Sequence, residues 1–320
     1  MNLGNIYKKT NNPRRATVSR YGRKPDPLEY HKTKYKADIK GLKKKDLVRD
    51  TRYSVKTKFS IGMEVEKNNF NRMAFDYGDT VGEMPFFLGY ETDCTCGVEA
   101  VTHIHPLLPQ SSWRQKIFNL MEDAEKIIDD NYSPSDLRCG GHITIGVDNM
   151  SALDIYEGMR SNIGIIYALF RKRLTNRNCR YVLNGIFSSY QQEAPIHNGY
   201  DSKYSPVKLR GNGSIEFRLV SRFQSVKQMK DRYKLFYEVV DHSFNTPNAR
   251  YSTLIKRLKP ILMSMYDNDM SKVEEIIALS YDFRRYLMTK GMTIPQSIAQ
   301  WVDPCGENAI MNREWRANQR

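Results

Sequence analysis

Three short segments of the chain alternate apolar and polar residues with a period of two. They are Phe59-Ser60-Ile61-Gly62-Met63-Glu64-Val65-Glu66, His142-Ile143-Thr144-Ile145-Gly146-Val147 and Ser214-Ile215-Glu216-Phe217-Arg218-Leu219. A β-strand sends successive side chains to opposite faces, so each segment predicts a strand with one apolar face. Met63, Val65, Ile143, Ile145, Val147, Ile215, Phe217 and Leu219 are the predicted core positions. Glu64, Glu66, His142, Glu216 and Arg218 then occupy the opposite face. On a shared sheet that face carries carboxylates, an imidazole and a guanidinium. A fourth segment, Gly97-Val98-Glu99-Ala100-Val101-Thr102, predicts another strand, closed by Pro106 and Pro109, and adds Glu99.

Between these strands the apolar period lengthens to that of a helix. Ser112-Trp113-Arg114-Gln115 fits a capping box, and Trp113, Ile117, Leu120, Met121, Ala124, Ile127 and Ile128 follow at helical spacing, predicting a helix to about Asn131. A second helix starts near Ser151, with Asp154 at the box position, and buries Ile155, Met159, Ile163, Ile166 and Phe170. A third runs from about Ser225 to Phe244 along Val226, Met229, Tyr233, Phe236, Tyr237 and Val240. Two more are predicted near 251–265 and 271–289. Residues 67–90 and 180–213 read as loop-rich, with turn signals such as Met84-Pro85, Asn198-Gly199 and Gly211-Asn212-Gly213. Residues 1–57, broken by Pro13, Pro25 and Pro27, read as a largely irregular arm, 58–290 as the folded domain, and 291–320 as a polar tail. Strands separated by long helices point to an α+β or α/β domain.

Charge changes this picture in one place. Residues 1–58 hold 18 Lys or Arg against 5 Asp or Glu, a net of +13, which leaves only +1 of the +14 total for the rest of the chain. The body is near neutral and the arm is basic, with tyrosines at 7, 21, 30, 35 and 53. Such an arm either binds nucleic acid or another polyanion through phosphate contacts, or serves as a solvated leader. No apolar run approaches the length of a membrane span. The N-terminus lacks the apolar stretch of a secretory signal, and five cysteines spread over 320 residues do not form a disulfide framework. A cytoplasmic protein with no membrane partner is expected.

The chemistry lies on the polar strand face. Glu64 and Glu66, two apart, repel unless something positive lies between them, and a divalent cation meets that need. Glu99 offers a third carboxylate. His142 follows Cys139-Gly140-Gly141, a glycine pair that implies close backbone approach. Glu216 and Arg218 share a face, the first suited to a metal and the second, with its forked geometry, to phosphate. The plainer reading of each residue is solvated surface charge, a hydrogen-bonded structural histidine or a local ion pair. A competing set of soft ligands, Cys94, Cys96, His103, His105 and Cys139, raises a structural zinc site, although neither pair has the usual two-residue spacing.

The order of the motifs carries more than any one of them. Gly62-x-Glu64-x-Glu66, Asp93 through Gly97-Val98-Glu99, Cys139-Gly140-Gly141-His142-Ile143 and Asn212-Gly213-Ser214-Ile215-Glu216-Phe217-Arg218 together resemble the amidoligase family of ATP-dependent carboxylate–amine ligases. The resemblance spans about residues 58–245. It implies an α+β, glutamine synthetase-like fold, a curved antiparallel sheet with flanking helices, to which the basic arm is added. It also implies ATP and Mg²⁺, or Mn²⁺, as cofactors, and an amide or peptide bond formed through an acyl phosphate. Carried onto this sequence, Glu64, His142 and Glu216 surround the ion nearest the ATP phosphates, and Glu66 and Glu99 hold the ion nearest the acceptor carboxylate. Arg218, with Arg210 as a second candidate, meets the transferring phosphoryl group. Cys94 and Thr95 stand where the family usually has Ser after the aspartate, which leaves Asp93 without an assigned role. The contrasting reading is a non-catalytic nucleic-acid-binding or assembly protein on a ligase-like fold, using the arm.

Overall fold

The computed structural model describes residues 58–67, 86–93, 97–102, 104–128, 139–175, 205–210 and 213–302. The arm, Cys94, Cys96, His103 and most of 180–213 lie outside the described residues. In chain order the strands are β1 (Phe59–Lys67), β2 (Phe87–Asp93), β3 (Gly97–Thr102), β4 (His105–Pro106), β5 (Ile143–Val147), β6 (Val207–Arg210) and β7 (Ser214–Phe217). The helices are α1 (Ser112–Leu120), α2 (Glu125–Ile128), α3 (Ala152–Met159), α4 (Gly164–Leu169), α5 (Val226–Asn245), α6 (Tyr251–Met265), α7 (Met270–Met288) and α8 (Gln296–Val302). The class is α+β, with antiparallel strand pairing. The described residues form two compact units, those of Met1–Met150 with Ser221–Tyr237 and those of Ser151–Val220 with Glu238–Arg320.

In the first unit the strand order is β2-β3-β1-β5, with β4 on β1. The β1–β5 register pairs Phe59 with Val147, Ile61 with Ile145 and Met63 with Ile143. Directly opposed residues share a face, so these six side chains and Val65 form one apolar layer, and all are buried. Full burial of a large apolar side chain contributes about 1.5–3 kcal/mol, so this layer fixes the register. A one-residue slip would turn it over. The opposite face is also buried: Ser60, Glu64, Glu66, His142 and Thr144 lie there. The alternation predicted the two faces, whereas the depth of the polar one emerges only in the structure. Tyr233 of α5 ties the helix to the sheet, its hydroxyl donating to the Pro106 carbonyl at 2.6 Å and accepting from Leu108 N at 2.8 Å.

Several predicted boundaries change. The cap of α1 is Ser111, whose side chain accepts from Arg114 N, one residue before the predicted box. The helix predicted to Asn131 narrows into a 3₁₀ turn at Met121–Ala124 before α2. There Asp123 Oδ2 accepts from Phe86 N at 3.2 Å. The helix predicted from Ser151 starts as expected, with its capping box at Ser151 and Asp154, but it splits into α3 and α4. Between them Asn162 Nδ2 donates to Ser243 Oγ and Arg284 Nε donates to the Ser161 carbonyl. Arg284 thus takes up a backbone carbonyl that a continuous helix would use in its own ladder. Gly164 opens α4 against α7, where a Cβ would lie 2.5 Å from the Ser280 carbonyl oxygen. The supposed loop 67–90 contains the start of β2, and the supposed polar tail contains α8, whose Ile298, Trp301 and Val302 are buried.

Of the soft-ligand candidates, His105 is described and buried. Its ring stacks on Phe86 with centroids 4.5 Å apart, and Nε2 lies 3.2 Å from the Phe86 carbonyl. Burial pushes its pKa down to about 3, against a weaker pull upward from the Phe86 hydrogen bond. The unfolded chain takes up a proton here near pH 6.5 while the folded protein stays neutral. Stability contributed by His105 is therefore present above pH 6.5 and is lost as pH falls toward 3. The loss from this one group should be about 3 kcal/mol between about pH 7 and pH 4. Urea titrations across that range should show a flatter pH dependence for His105→Phe, even though the variant starts from lower stability. An unchanged slope would mean that another group governs acid unfolding.

Candidate functional site

The first unit assembles three of the predicted residues. β1 presents Glu64 and Glu66 on its polar face, and His142 immediately precedes β5, opposite Glu64, with Glu64 N donating to the His142 carbonyl at 3.0 Å. His142 Nδ1 lies 2.8 Å from Glu64 Oε2, and its Nε2 lies 3.2 Å from Glu66 Oε1. The imidazole thus bridges two carboxylates, and all three side chains are buried. The remaining Glu66 oxygen, Oε2, accepts from Gly140 N at 2.5 Å. This is the close backbone approach implied by the glycine pair.

A neutral imidazole has one N–H donor and one acceptor nitrogen, while an ionised carboxylate only accepts. With a neutral ring between two ionised glutamates, one nitrogen faces an oxygen with no hydrogen between them. The arrangement is completed by one additional positive charge, either a proton or a metal ion. One ligand atom from each residue can be chosen so that all three lie within 4.8 Å of one another, a spacing compatible with donors around a single cation. Two carboxylates and an imidazole are hard and borderline donors of the kinds that ligate divalent cations. The residues therefore fit a divalent ion.

Glu99 enters through strand register: its Cα is paired with that of Glu66 on β1 and that of Glu91 on β2. Three glutamate positions thus form a row across β1, β3 and β2. Glu91 is not among the sequence-predicted site residues, because the predicted loop 67–90 covers the start of β2 and hides the strand that carries it. The available signal was its position eight residues before Glu99, in a segment that folds back as a hairpin. Asp93 ends β2 opposite Gly97.

The second unit holds the other cluster. β6 and β7 form a hairpin in which Lys208 pairs with Glu216 and Arg210 with Ser214. Gly213, with φ of 81°, takes the left-handed position that leads into β7. Glu216 is fully buried, and its carboxylate is engaged by both candidate arginines: Arg218 donates to Oε1 at 2.7 Å and Arg210 forms an ion pair with Oε2. Both arginine side chains keep a small exposed fraction, 15% for Arg210 and 14% for Arg218. Lys208 holds the strand position paired with Glu216. The structure therefore places Glu64, Glu66 and His142 in one cluster and Arg210, Glu216 and Arg218 in another. No protein-family model and no curated protein matches the chain.

Proposed function

We propose that the chain is a cytoplasmic ATP- and Mg²⁺-dependent carboxylate–amine ligase with a glutamine synthetase-like fold, forming an amide or peptide bond. The observation that carries the reading is the buried group of Glu64, Glu66 and His142. Evolution of a purely structural sheet gains nothing from two carboxylates at this depth, because their desolvation opposes folding. A site that must hold a cation beside phosphate needs them. Glu64, Glu66 and His142 would hold the ion, with Glu99 a further candidate by its register. A bound divalent ion supplies neutralisation of phosphate charge.

The remaining work falls to the chain's own residues. Arg218 and Arg210 bind phosphate oxygens with their forked donors, and Glu216 orients both guanidiniums. In the reaction, a substrate carboxylate oxygen attacks the γ-phosphorus of ATP and the bond to ADP breaks, giving an acyl phosphate. An amine nitrogen then attacks the acyl carbon, loses a proton, and inorganic phosphate leaves. Such transfers depend chiefly on alignment and on charge stabilisation, which arginines held by a buried carboxylate provide.

The test is ATP consumption with Mg²⁺ and pools of carboxylic acids and amines, using carboxylates labelled with ¹⁸O. Ligation through an acyl phosphate transfers one labelled oxygen to the released phosphate. No ATP consumption with any pool, or phosphate without label, overturns the reading.

The basic arm supports a second, separable activity. Truncation before Lys58 should spare ATP turnover, because the motifs and the apolar layer begin at Phe59. It should also remove salt-sensitive binding to a polyanion, since each lost phosphate contact lowers the steepness of the log–log salt dependence by about 0.9 on duplex DNA. Filter binding over a salt series compares the two forms. Equal binding by both would exclude the arm as the binding element.

A further inference from the structure

We propose that Arg232 is a positioning residue for the Glu66 carboxylate, acting through the backbone of Ser221 and Gly140. The proposal rests on the reading of Glu64, Glu66 and His142 as divalent-cation ligands. Arg232 lies in α5 and is only 1% exposed. Its guanidinium reaches a short stretch of backbone after β7. It donates to the Ser221 carbonyl, to Ser221 Oγ at 3.0 Å and to the Arg222 carbonyl at 3.1 Å, and it also donates to Gln228 Oε1 at 2.9 Å. The face of the guanidinium lies 4.7 Å from the Phe223 ring centroid. A planar fork with this many donors fixes direction as well as distance, unlike the single ammonium of lysine.

The segment that Arg232 grips is the one on which the candidate metal centre rests. Ser221 forms an isolated antiparallel bridge with Gly140. Gly141 packs flush against the same segment: a Cβ there would lie 2.5 Å from the Ser221 carbonyl oxygen and 2.9 Å from the Phe223 ring. Gly140 N in turn donates to Glu66 Oε2, leaving Oε1 directed at His142 Nε2. The chain of contacts runs from the guanidinium to Ser221, from Ser221 to Gly140, and from Gly140 to one oxygen of the carboxylate. All of it lies within the first unit. Loosening the first contact frees the Glu66 carboxylate to rotate without touching a ligand atom. Groups that orient metal ligands in this way change metal affinity by about 10–100-fold when removed.

Isothermal titration of the full chain with Mn²⁺, paired with thermal melts, tests the proposal. Arg232→Lys keeps the charge and most of the stem but loses the fork. It should bind Mn²⁺ at least about tenfold more weakly than wild type while still melting cooperatively. Ser221→Ala/Gln228→Ala removes two of the acceptors that orient the guanidinium and should give a smaller loss of about threefold or more. Arg257→Lys weakens a half-buried arginine of the second unit, paired with Glu238 and Asp241, and should lower melting temperature without changing Mn²⁺ affinity. Unchanged affinity in folded Arg232→Lys overturns the proposal. If that variant does not fold, unchanged affinity in the double variant overturns it equally. Wild-type Mn²⁺ binding that survives Glu66→Gln unchanged, or no Mn²⁺ binding at all, is a different result: it removes the metal reading itself and the positioning role with it.

Discussion

Glu66→Gln should reduce Mg²⁺-dependent ATP turnover at least about a hundredfold and leave the fold as stable as before, or slightly more so. Loss of turnover follows from removing a ligand charge within the compact trio with Glu64 and His142. The stability outcome follows from the hydrogen bonds. In the parent, His142 stands between two carboxylates, and Glu66 also accepts from Gly140 N. The amide that replaces the carboxylate can turn its carbonyl oxygen to Gly140 and its NH₂ group to His142 Nε2. A neutral ring then accepts from that amide and donates to Glu64, so every polar atom in the chain of contacts has a complementary partner with one negative charge fewer. Denaturant unfolding without divalent ions, alongside turnover, separates the two effects. Adding Mg²⁺ should raise the unfolding midpoint of the parent and not of the variant, because only a form that binds the ion gains by mass action. Normal turnover by the variant would remove Glu66 from the site.

The contrast between the polar faces of β1 and β7 explains how far the sequence could be read. Period-two alternation correctly places Met63, Val65, Ile143 and Ile145 in the apolar layer and Glu64 and His142 on the other face, because strand geometry is local. The third helix was equally legible, since α5 keeps one apolar stripe over 20 residues. Partners are not local. Nothing in Glu-x-Glu indicates that an imidazole will bridge the two carboxylates. Nothing in Glu216-Phe217-Arg218 indicates that Arg210 closes on the same carboxylate through the hairpin register. The same limit accounts for β2, which begins inside the predicted loop 67–90, just after the Met84-Pro85 turn signal. In the structure Gly89 pairs with Val101, beside a register shift between Phe87 and Gly89. It also accounts for the break between α3 and α4, where Ser243 and Arg284 capture groups of the predicted single helix from more than 80 residues away.

Glu216→Gln should behave in the opposite way to Glu66→Gln, losing stability as well as turnover. From the alternation alone, Glu216 belongs with the crowded carboxylates, and its neutralisation should relieve repulsion. The structure reverses that sign, because Glu216 is the buried counter-ion of Arg210 and Arg218. Removing one partner of a buried pair leaves the other charge uncompensated, at a cost of about 3–5 kcal/mol. Here the arginines retain some exposure, so water screens part of that cost and the lower end, about 3 kcal/mol, is expected. A freed guanidinium also loses its direction, so turnover should fall even where the protein remains folded. The cause can be isolated with a double-mutant cycle. Arg210→Gln alone should cost less than Glu216→Gln, because Arg218 still neutralises the carboxylate. The double variant should be more stable than the sum of the single losses predicts, because each change removes part of the penalty created by the other. Strict additivity, or a Glu216→Gln variant that unfolds at the parent's urea midpoint, would mean that the carboxylate does not hold the arginines. It would then be available as a metal ligand, and Mn²⁺ titration of Glu216→Gln would show weaker binding without the stability loss.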